Sequence, residues 1–202
     1  MSGEIFIQGL FPMGDYPKRR LLILVPSLAG GGAERMVVNL CREIDREKWS
    51  PALVTFSRQD SYPRELPGRI PRISLGKESR LDNLLIVFRL AAVLREREPD
   101  LVFTRIYFTA LIAFLARAVA RLRTPIVSAV DCTLSRALEW ESLPLLRRRM
   151  VRFVFPRLDR VVAVSSGVGR DLVSNFDVPD GNCSVIHNAV DIHRIHQLMQ
   201  ED

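Results

Sequence analysis

Three consecutive glycines, Gly30 to Gly32, have the spacing of a loop that can hold a phosphate. An apolar run that ends at Pro26 precedes them, and after them apolar residues recur at i, i+3 and i+4: Ala33, Met36, Val37, Leu40, Cys41 and Ile44. This order predicts a strand, a tight loop and a helix. Backbone N–H groups and the positive end of a helix dipole favour an anion such as a diphosphate at that loop.

The glycine loop completes neither of two common nucleotide fingerprints. A dinucleotide site needs G-x-G-x-x-G, and Arg35 occupies the third glycine position, where its bulk opposes close packing of helix on strand. The second predicted strand ends in Ser57-Arg58, which lacks the acidic residue for an adenosine ribose and would at most suit a 2′-phosphate. The Walker pattern fails because no Gly-Lys-Ser/Thr follows. An NADP-dependent Rossmann enzyme stays open as an alternative, and so does a glycine turn that binds nothing.

Short apolar strands alternate with helices of ten or more residues along the rest of the chain. The strands are predicted near 51–56, 70–75, 101–104, 125–130, 161–164 and 183–186, and the helices near 81–94, 109–122, 143–157 and 165–175. This alternation predicts an α/β fold, Rossmann-like, with a mostly parallel sheet covered by helices on both faces. Ligands bind such sheets beyond the carboxyl ends of the strands, where Thr104-Arg105, Asp131-Cys132 and Ser165-Ser166 follow three of them.

Composition describes an ordinary globular chain of 202 residues, with 48% hydrophobic and 26% charged residues. No apolar run approaches the roughly 18 residues of a membrane span, and the N-terminal basic residues follow the apolar stretch where a signal peptide would place them first. We therefore expect a cytoplasmic protein. Three cysteines without a CxxC, and a His193/His196 pair without a third ligand, predict no metal site.

The net charge of +6 comes from 29 basic residues, of which only three are lysines. This skew either reflects base composition or marks a surface for anions. The densest run, Arg147, Arg148, Arg149 and Arg152, is interleaved with apolar residues. Such a helix would suit a peripheral contact with an anionic membrane, and the alternative is a core helix with a solvated basic face. No nucleic acid is expected, since no reading motif accompanies the charge.

Three separated stretches, in this order and spacing, resemble one known family. They are SLAGGGAERMVVNL, EPDLVFTRIYFTALIA and LDRVVAVSSGVGRDLVSNFDVPDGNCSVIHNAVD. Together they look like the N-terminal domain of a GT-B glycosyltransferase of the family 4 type. The resemblance extends from Leu21 to Asp191.

That resemblance implies transfer of a sugar, with retention, from a nucleotide sugar to a glycan or lipid-linked acceptor, as in polysaccharide or glycolipid biosynthesis, with no cofactor or metal. Family members hold the donor mainly in a second, C-terminal Rossmann-like domain with paired glutamates, and we expect no such domain within residues 1–202. The implied organisation is a leader or strap over 1–20, an acceptor-binding domain over 21–187 and a hinge over 188–202. The isolated domain is expected to be inactive.

Residue by residue, the resemblance places the donor diphosphate at Gly30, Gly31 and Gly32. The acceptor cleft would include Arg105, Ser165, Ser166 and Arg170, and the hinge would include Asn188 and Asp191. A second hypothesis from another class is a non-catalytic docking subunit, for an acceptor or a membrane, that pairs in trans with a separate donor-binding chain.

Two positions depart from the family pattern. Asp131 stands where many relatives carry a histidine near the transferred sugar, and it could contact a sugar hydroxyl, act as a base toward the acceptor, or cap a turn. Ala189 replaces the glycine of the closing Asn-Gly-Val-Asp segment, which removes a glycine-permitted backbone angle from the hinge.

Overall fold

The structure is a computed structural model that describes residues 17–62, 66–68, 70–79 and 82–189. Seven strands lie in this part of the chain: β1 (Arg19–Val25), β2 (Trp49–Thr55), β3 (Arg72–Ser74), β4 (Leu101–Arg105), β5 (Ile126–Val130), β6 (Arg160–Ala163) and β7 (Cys183–Val185). The helices are α1 (Gly32–Glu43), α2 (Asn83–Arg97), α3 (Tyr107–Ala120), α4 (Leu134–Ala137), α5 (Pro144–Val154) and α6 (Ser166–Phe176).

The seven strands form one parallel sheet in the order β3-β2-β1-β4-β5-β6-β7. The order reverses at β1, because the chain moves outward to β3 and then returns across the sheet to β4. In such sheets the loops after the two strands at the reversal diverge and leave a crevice at their carboxyl ends. The α/β, Rossmann-like fold predicted from the sequence is confirmed.

Two apolar layers cover the sheet, one on each face. Residues of α2, α3, α5 and α6 share one core cluster with side chains such as Leu22, Val102 and Ile126. Residues of α1 form the second cluster, with Ile23, Val25 and Leu53. Alternate residues of β1 therefore point into different layers, which is why this strand is apolar throughout. The core positions the loops of one sheet edge on a rigid base.

Some element boundaries differ from the sequence prediction for identifiable reasons. The predicted helix over 143–157 ends at Val154 and continues as a 3-10 turn over Phe155–Arg157, where Pro156 lacks the N–H that a helix interior needs. The four residues of α4 and the 3-10 turn over Leu138–Trp140 were not predicted, since such short segments carry no readable periodicity. β1 begins at Arg19, two residues before the predicted domain boundary.

None of the described helices combines the length and apolar character needed to cross a membrane.

Candidate functional site

The glycine loop leaves the end of β1 and opens α1 as predicted. Gly30 has a φ of +106°, a conformation that side chains rarely adopt, and Gly31 is the N-cap of α1. No side chain caps the helix start, and the carbonyl of Gly31 accepts the first helical bond from the N–H of Arg35 at 3.0 Å. The N–H groups of the first turn are thus available for an anion.

Glu34, in the first turn of α1, lies over the loop. A Cβ built on Gly31 would collide with Oε2 of Glu34, so this glycine leaves room for the carboxylate against the loop backbone. A negative charge is stabilised near a helix N-terminus, and Glu34 therefore occupies a place that an incoming diphosphate would favour. The sequence prediction assigned no role to Glu34, although the Gly-Ala-Glu order places an acidic residue in the first turn of the predicted helix.

The segment after β2 supports the glycine loop from the side. The N–H of Leu28 donates to the carbonyl of Gln59 at 3.1 Å, and the hydroxyl of Tyr62 lies 3.5 Å from the carbonyl of Gly31. Arg35, at the third position of the failed fingerprint, places its guanidinium 4.5 Å from the centre of the Tyr62 ring. The loop is therefore held by contacts that a dinucleotide site does not use.

Three side chains from distant parts of the sequence meet at the same edge of the sheet. Arg105, the last residue of β4, forms an ion pair with Asp131, which follows β5, and donates to Oδ1 of Asn188 at 2.8 Å. The side chain of Arg105 is only 9% exposed and that of Asp131 is 23% exposed. Within the described residues, Nε of Arg105 and Oδ2 of Asp131 are buried without a hydrogen-bond partner. This cluster joins predicted catalytic, cleft and hinge residues.

The turn after Arg105 holds an unusual backbone conformation. Ile106 has a φ of 73° and a ψ of 132°, which is strained for a β-branched residue. The hydroxyl of Thr109, fully buried, lies 2.6 Å from the carbonyl of Arg105 and 2.8 Å from that of Ile106. Packing thus fixes the end of β4 in the geometry that directs Arg105 toward Asp131.

Opposing effects act on the carboxyl group of Asp131. Burial raises its pKa, while the charge and hydrogen bond of Arg105 and the contact with Asn188 act in the lowering direction. The negative charge of Glu34, at the glycine loop, also raises the pKa of Asp131. Among the described residues Asp131 pairs with the side chain of Arg105, and its role at the site stays a prediction.

The remaining predicted cleft residues lie near the start of α6. Ser165 is the N-cap, and its hydroxyl accepts from the N–H of Val168 at 3.3 Å, so it helps to begin the helix. Ser166 and Arg170 are exposed. Asn188 lies within the described chain, whereas Asp191, His193 and His196 lie outside it. The roles of these residues in acceptor binding stay predictions.

The four arginines predicted to face a membrane have different environments. Arg147 contacts the hydroxyl of Tyr107 at 2.8 Å, and Arg152 pairs with both carboxylate oxygens of Asp177 at 2.6 and 3.0 Å. Arg148 is half-buried, with its guanidinium 5.6 Å from the centre of a phenylalanine ring in α6. Arg149 is exposed and has no recorded partner among the described residues. The sequence could not separate these cases, because ion-pair partners come from other elements.

A shallow depression of about 590 Å³ lies at the same sheet edge, beside the glycine loop. It lies between the segments that follow β2 and β3 and is lined by Ser57, Arg58, Gln59, Lys77, Glu78 and Ser79. Gln59 belongs to the segment that supports the glycine loop, so the two features share one wall.

In the described part of the chain, no three His, Cys, Asp or Glu side chains lie close enough together to hold a metal ion. The described cysteines are free thiols: Cys41 is buried, Cys183 partly buried and Cys132 exposed. Burial raises the pKa of Cys132, and the neighbouring Asp131 raises it further, which disfavours a reactive thiolate.

Comparison with known proteins identifies the family. The profile of Glycosyltransferase Family 4 matches residues 30–194, which begin at the glycine loop and end within the predicted hinge. The chain belongs to this family. A relative from Campylobacter jejuni, an N-acetylgalactosamine-N,N'-diacetylbacillosaminyl-diphospho-undecaprenol 4-alpha-N-acetylgalactosaminyltransferase, is 25% identical over 193 residues, which are 91% of this chain and 52% of the relative.

Solved structures of other proteins share the fold of this family 4 chain. Anabaena HepE in complex with UDP and glucose has a TM-score of 0.66 at 19% identity, over 91% of this chain and 50% of HepE. The apo form of the lipopolysaccharide outer core galactosyltransferase WaaB has a TM-score of 0.64 at 20% identity, over 86% of this chain and 46% of WaaB. The chain therefore spans about half the length of the relatives that it matches.

Proposed function

We propose that this chain is the acceptor-side half of a retaining glycosyltransferase that moves a sugar from a nucleotide donor to a glycan or lipid-linked acceptor. The observation that carries the proposal is the uncapped glycine loop of a family 4 chain, on the same sheet edge as the Arg105–Asp131–Asn188 cluster. The name of the Campylobacter relative specifies a diphospho-undecaprenol compound, which supports a lipid-linked acceptor.

In this proposal the N–H groups at Gly30 to Gly32 bind the donor diphosphate. Two anions cannot share that place at low cost, so Glu34 swings away from Gly31 when the donor binds. Most donor contacts come from a second, C-terminal domain, in keeping with a chain that spans about half the length of the relatives that it matches. The 202-residue chain alone should therefore bind nucleotide sugar weakly, and tight binding in a calorimetric titration would contradict this division of labour.

Asp131 contacts a hydroxyl of the reacting sugar or of the acceptor. Its pairing with Arg105 orients the carboxylate for hydrogen bonding, and the burial that raises its pKa also suits a role as base toward the acceptor. Ser166 and Arg170 lie further along the edge for more distant parts of the acceptor, and Asn188 links the hinge to the cluster. No metal takes part, so activity should persist with a chelator present.

The test is a transfer assay on the full-length protein encoded by the gene, with a panel of nucleotide sugars and lipid-linked acceptors. Asp131→Ala should lower kcat/KM by about 100-fold or more, the scale for losing a group that acts in the transition state. The anomeric configuration of the product, measured by NMR, tests retention. An unchanged rate in Asp131→Ala would remove Asp131 from the machinery, and no transfer with any donor would overturn the proposed function.

We further propose that the outer face of α5 contacts an anionic membrane surface, as a peripheral protein at the inner face of the plasma membrane. Leu145 and Leu146 are exposed beside Arg149, and Trp140 and Leu143 lie exposed just before the helix. Exposed apolar patches with nearby cations fit interfacial binding. Liposomes with anionic lipid at low salt should bind the chain, and Arg149→Gln should weaken this more than Arg152→Gln, because Asp177 already occupies Arg152.

The exposed apolar surface equally favours the docking-subunit hypothesis, in which a separate chain supplies the donor site. The codons after Asp202 distinguish the two. A continuing frame with a second Rossmann-like unit and paired glutamates supports the enzyme in one polypeptide, and a stop codon supports pairing in trans.

A further inference from the structure

The depression between the segments after β2 and β3 has a floor that other contacts hold in place. The N–H of Lys77 donates to the carbonyl of Phe56 at 2.7 Å, which ties the two segments together. Arg89 donates to the carbonyls of Leu75 and Gly76 at 2.6 and 3.0 Å, so the turn toward α2 is fixed from below. Gly76 has a φ of +65°, which lets the chain make this turn. The depression is thus a built feature of the sheet edge.

The lining chemistry suits a phosphoryl group. Arg58 and Lys77 bring two cations and Glu78 brings one carboxylate to the lining. The neighbouring carboxylate of Asp82 is already held by the N–H groups of Glu78 and Ser79, at 2.9 and 2.8 Å, and by the side chain of Ser79. Ser57 contributes a hydroxyl group, whose Oγ is buried without a hydrogen-bond partner among the described residues. A buried hydroxyl without a partner is unfavourable, and a ligand oxygen would relieve it.

The position of Lys77 connects the depression with the catalytic edge. Its ammonium lies 5.4 Å from the centre of the Phe108 ring, and Phe108 belongs to the turn of α3 that follows Arg105. On the other side, Gln59 accepts from Leu28 at the approach to the glycine loop. A group bound here would lie beside the donor loop and not over it, as expected for part of an acceptor.

An exposed apolar patch follows the depression along the chain. Leu84, Leu85 and Phe88 lie in the first turns of α2, five residues or more after Ser79, and are 68%, 50% and 54% exposed. The bonds from Arg89 to Leu75 and Gly76 hold this part of α2 beside the segment that lines the depression. The inner side of α2 is buried in the core, so the helix is apolar on both sides near its start. Such a helix in a globular protein points to an apolar partner on its outer side.

We infer that the depression binds the phosphoryl group that links the acceptor glycan to its lipid, while Leu84, Leu85 and Phe88 contact the lipid chain. The proposal rests on the proposed lipid-linked acceptor and gives it a site on this chain. Two cations and the Ser57 hydroxyl, near exposed apolar side chains, match a ligand that is charged at one end and apolar at the other.

The experiment measures binding of the full chain to phosphatidylcholine vesicles that contain a polyprenyl phosphate, by flotation at low and physiological salt. Arg58→Gln and Lys77→Gln should each weaken binding about fivefold, the effect of one basic residue near an anionic lipid surface. Phe88→Gln should weaken it as well. Arg123→Gln is the matched control, because Arg123 is exposed just before β5 at the opposite edge, and its binding should equal that of the unmodified chain.

Two comparison arms identify the source of the signal. On vesicles of equal charge made with phosphatidylglycerol, Arg58→Gln and Lys77→Gln should reduce binding of the chain much less than they do on polyprenyl phosphate vesicles. Inorganic diphosphate should compete with polyprenyl phosphate for the chain. Equal losses on both vesicle types would overturn the site in favour of general attraction to anions, and so would unchanged binding in both variants. Circular dichroism confirms folding. This binding assay does not depend on sugar transfer. If the chain binds polyprenyl phosphate through these residues but the full-length protein transfers no sugar, the proposed function is refuted and the proposed site is not.

Discussion

The ion pair between Arg105 and Asp131 should respond asymmetrically to removal of its two partners. Arg105 is 9% exposed, and an arginine cannot discharge by losing a proton, so Asp131→Ala strands a buried charge. Asp131 is 23% exposed and can take up a proton. In Arg105→Met its carboxyl group can therefore either contact water or become neutral. Asp131→Ala should therefore lower the free energy of unfolding more than Arg105→Met.

The magnitudes follow from the same geometry. Opposite charges about 4 Å apart attract by about 4 kcal/mol at an effective dielectric constant of about 20. Asn188 remains as an acceptor for Arg105, so Asp131→Ala should lower the free energy of unfolding by about 3 kcal/mol. Arg105→Met should cost about 1.5 kcal/mol, and the double variant should cost clearly less than the sum, with a coupling of about 1–3 kcal/mol.

Urea unfolding of the four proteins at pH 7 measures these differences. The exposed pair Arg152–Asp177 is the internal control, and Arg152→Ala should leave the unfolding midpoint almost unchanged because both side chains are more than half exposed. Additive effects of the two site variants, or a larger loss in Arg105→Met than in Asp131→Ala, would refute the reasoning.

Acidity provides a second readout of the same pair. In Arg105→Met the lowering effect of the guanidinium is gone, so burial should raise the pKa of Asp131 further in the folded state. A folded-state pKa above the unfolded value means that this stability is present at low pH and is lost as the pH rises through the folded pKa. The stability deficit of Arg105→Met should therefore be small near pH 4 and grow toward pH 7.

Three other predictions concern the backbone and the buried thiol. Gly30→Ala should destabilise the chain by about 1–3 kcal/mol in urea unfolding, since its φ is +106°, whereas Gly32→Ala should be nearly neutral because a Cβ there meets nothing within 4 Å; equal effects would contradict the assigned loop geometry. Ile106→Gly should be more stable than Ile106→Ala by about 1 kcal/mol, the reverse of the usual order, because φ is 73° at this position; the usual order would show that no strain is stored. Burial raises the pKa of the Cys41 thiol from 9.0 to about 11. The resulting stabilisation, about 2–3 kcal/mol, is therefore complete below pH 9 and is lost as the pH rises through 11. Unfolding measured from pH 8 to pH 11 should show this loss in the unmodified chain and not in Cys41→Ala, and parallel pH curves of the two proteins would refute it.

The sequence predicted the sheet and its helices because the signals are local. Apolar runs of strand length, helical periodicity after Gly32 and breakers such as Pro99-Asp100 act through a few neighbouring residues. Each of the seven strands lies within a few residues of its predicted position, and the glycine loop opens α1 as expected. The short α4 escaped prediction since four residues contain barely one helical turn.

The site was only partly readable, because its groups are joined by tertiary contacts. Sequence alone could place Arg105, Asp131 and Asn188 at strand ends, but not show that one guanidinium contacts both partners from 26 and 83 residues away. The backbone strain at Ile106 and the hydrogen bond of Thr109 that stabilises this turn could not be predicted either, since they depend on packing around the end of β4.

The residue types of this chain thus determine by themselves an α/β sheet of family 4 type with a glycine loop at its carboxyl edge. The tertiary structure decided which charges are paired. At that edge it pairs Asp131 with Arg105, and elsewhere it pairs Arg152 with Asp177 and leaves Arg149 exposed. The physical reason is that hydrogen bonds and ion pairs act over a few ångströms in space, whereas sequence patterns report only on neighbours along the chain.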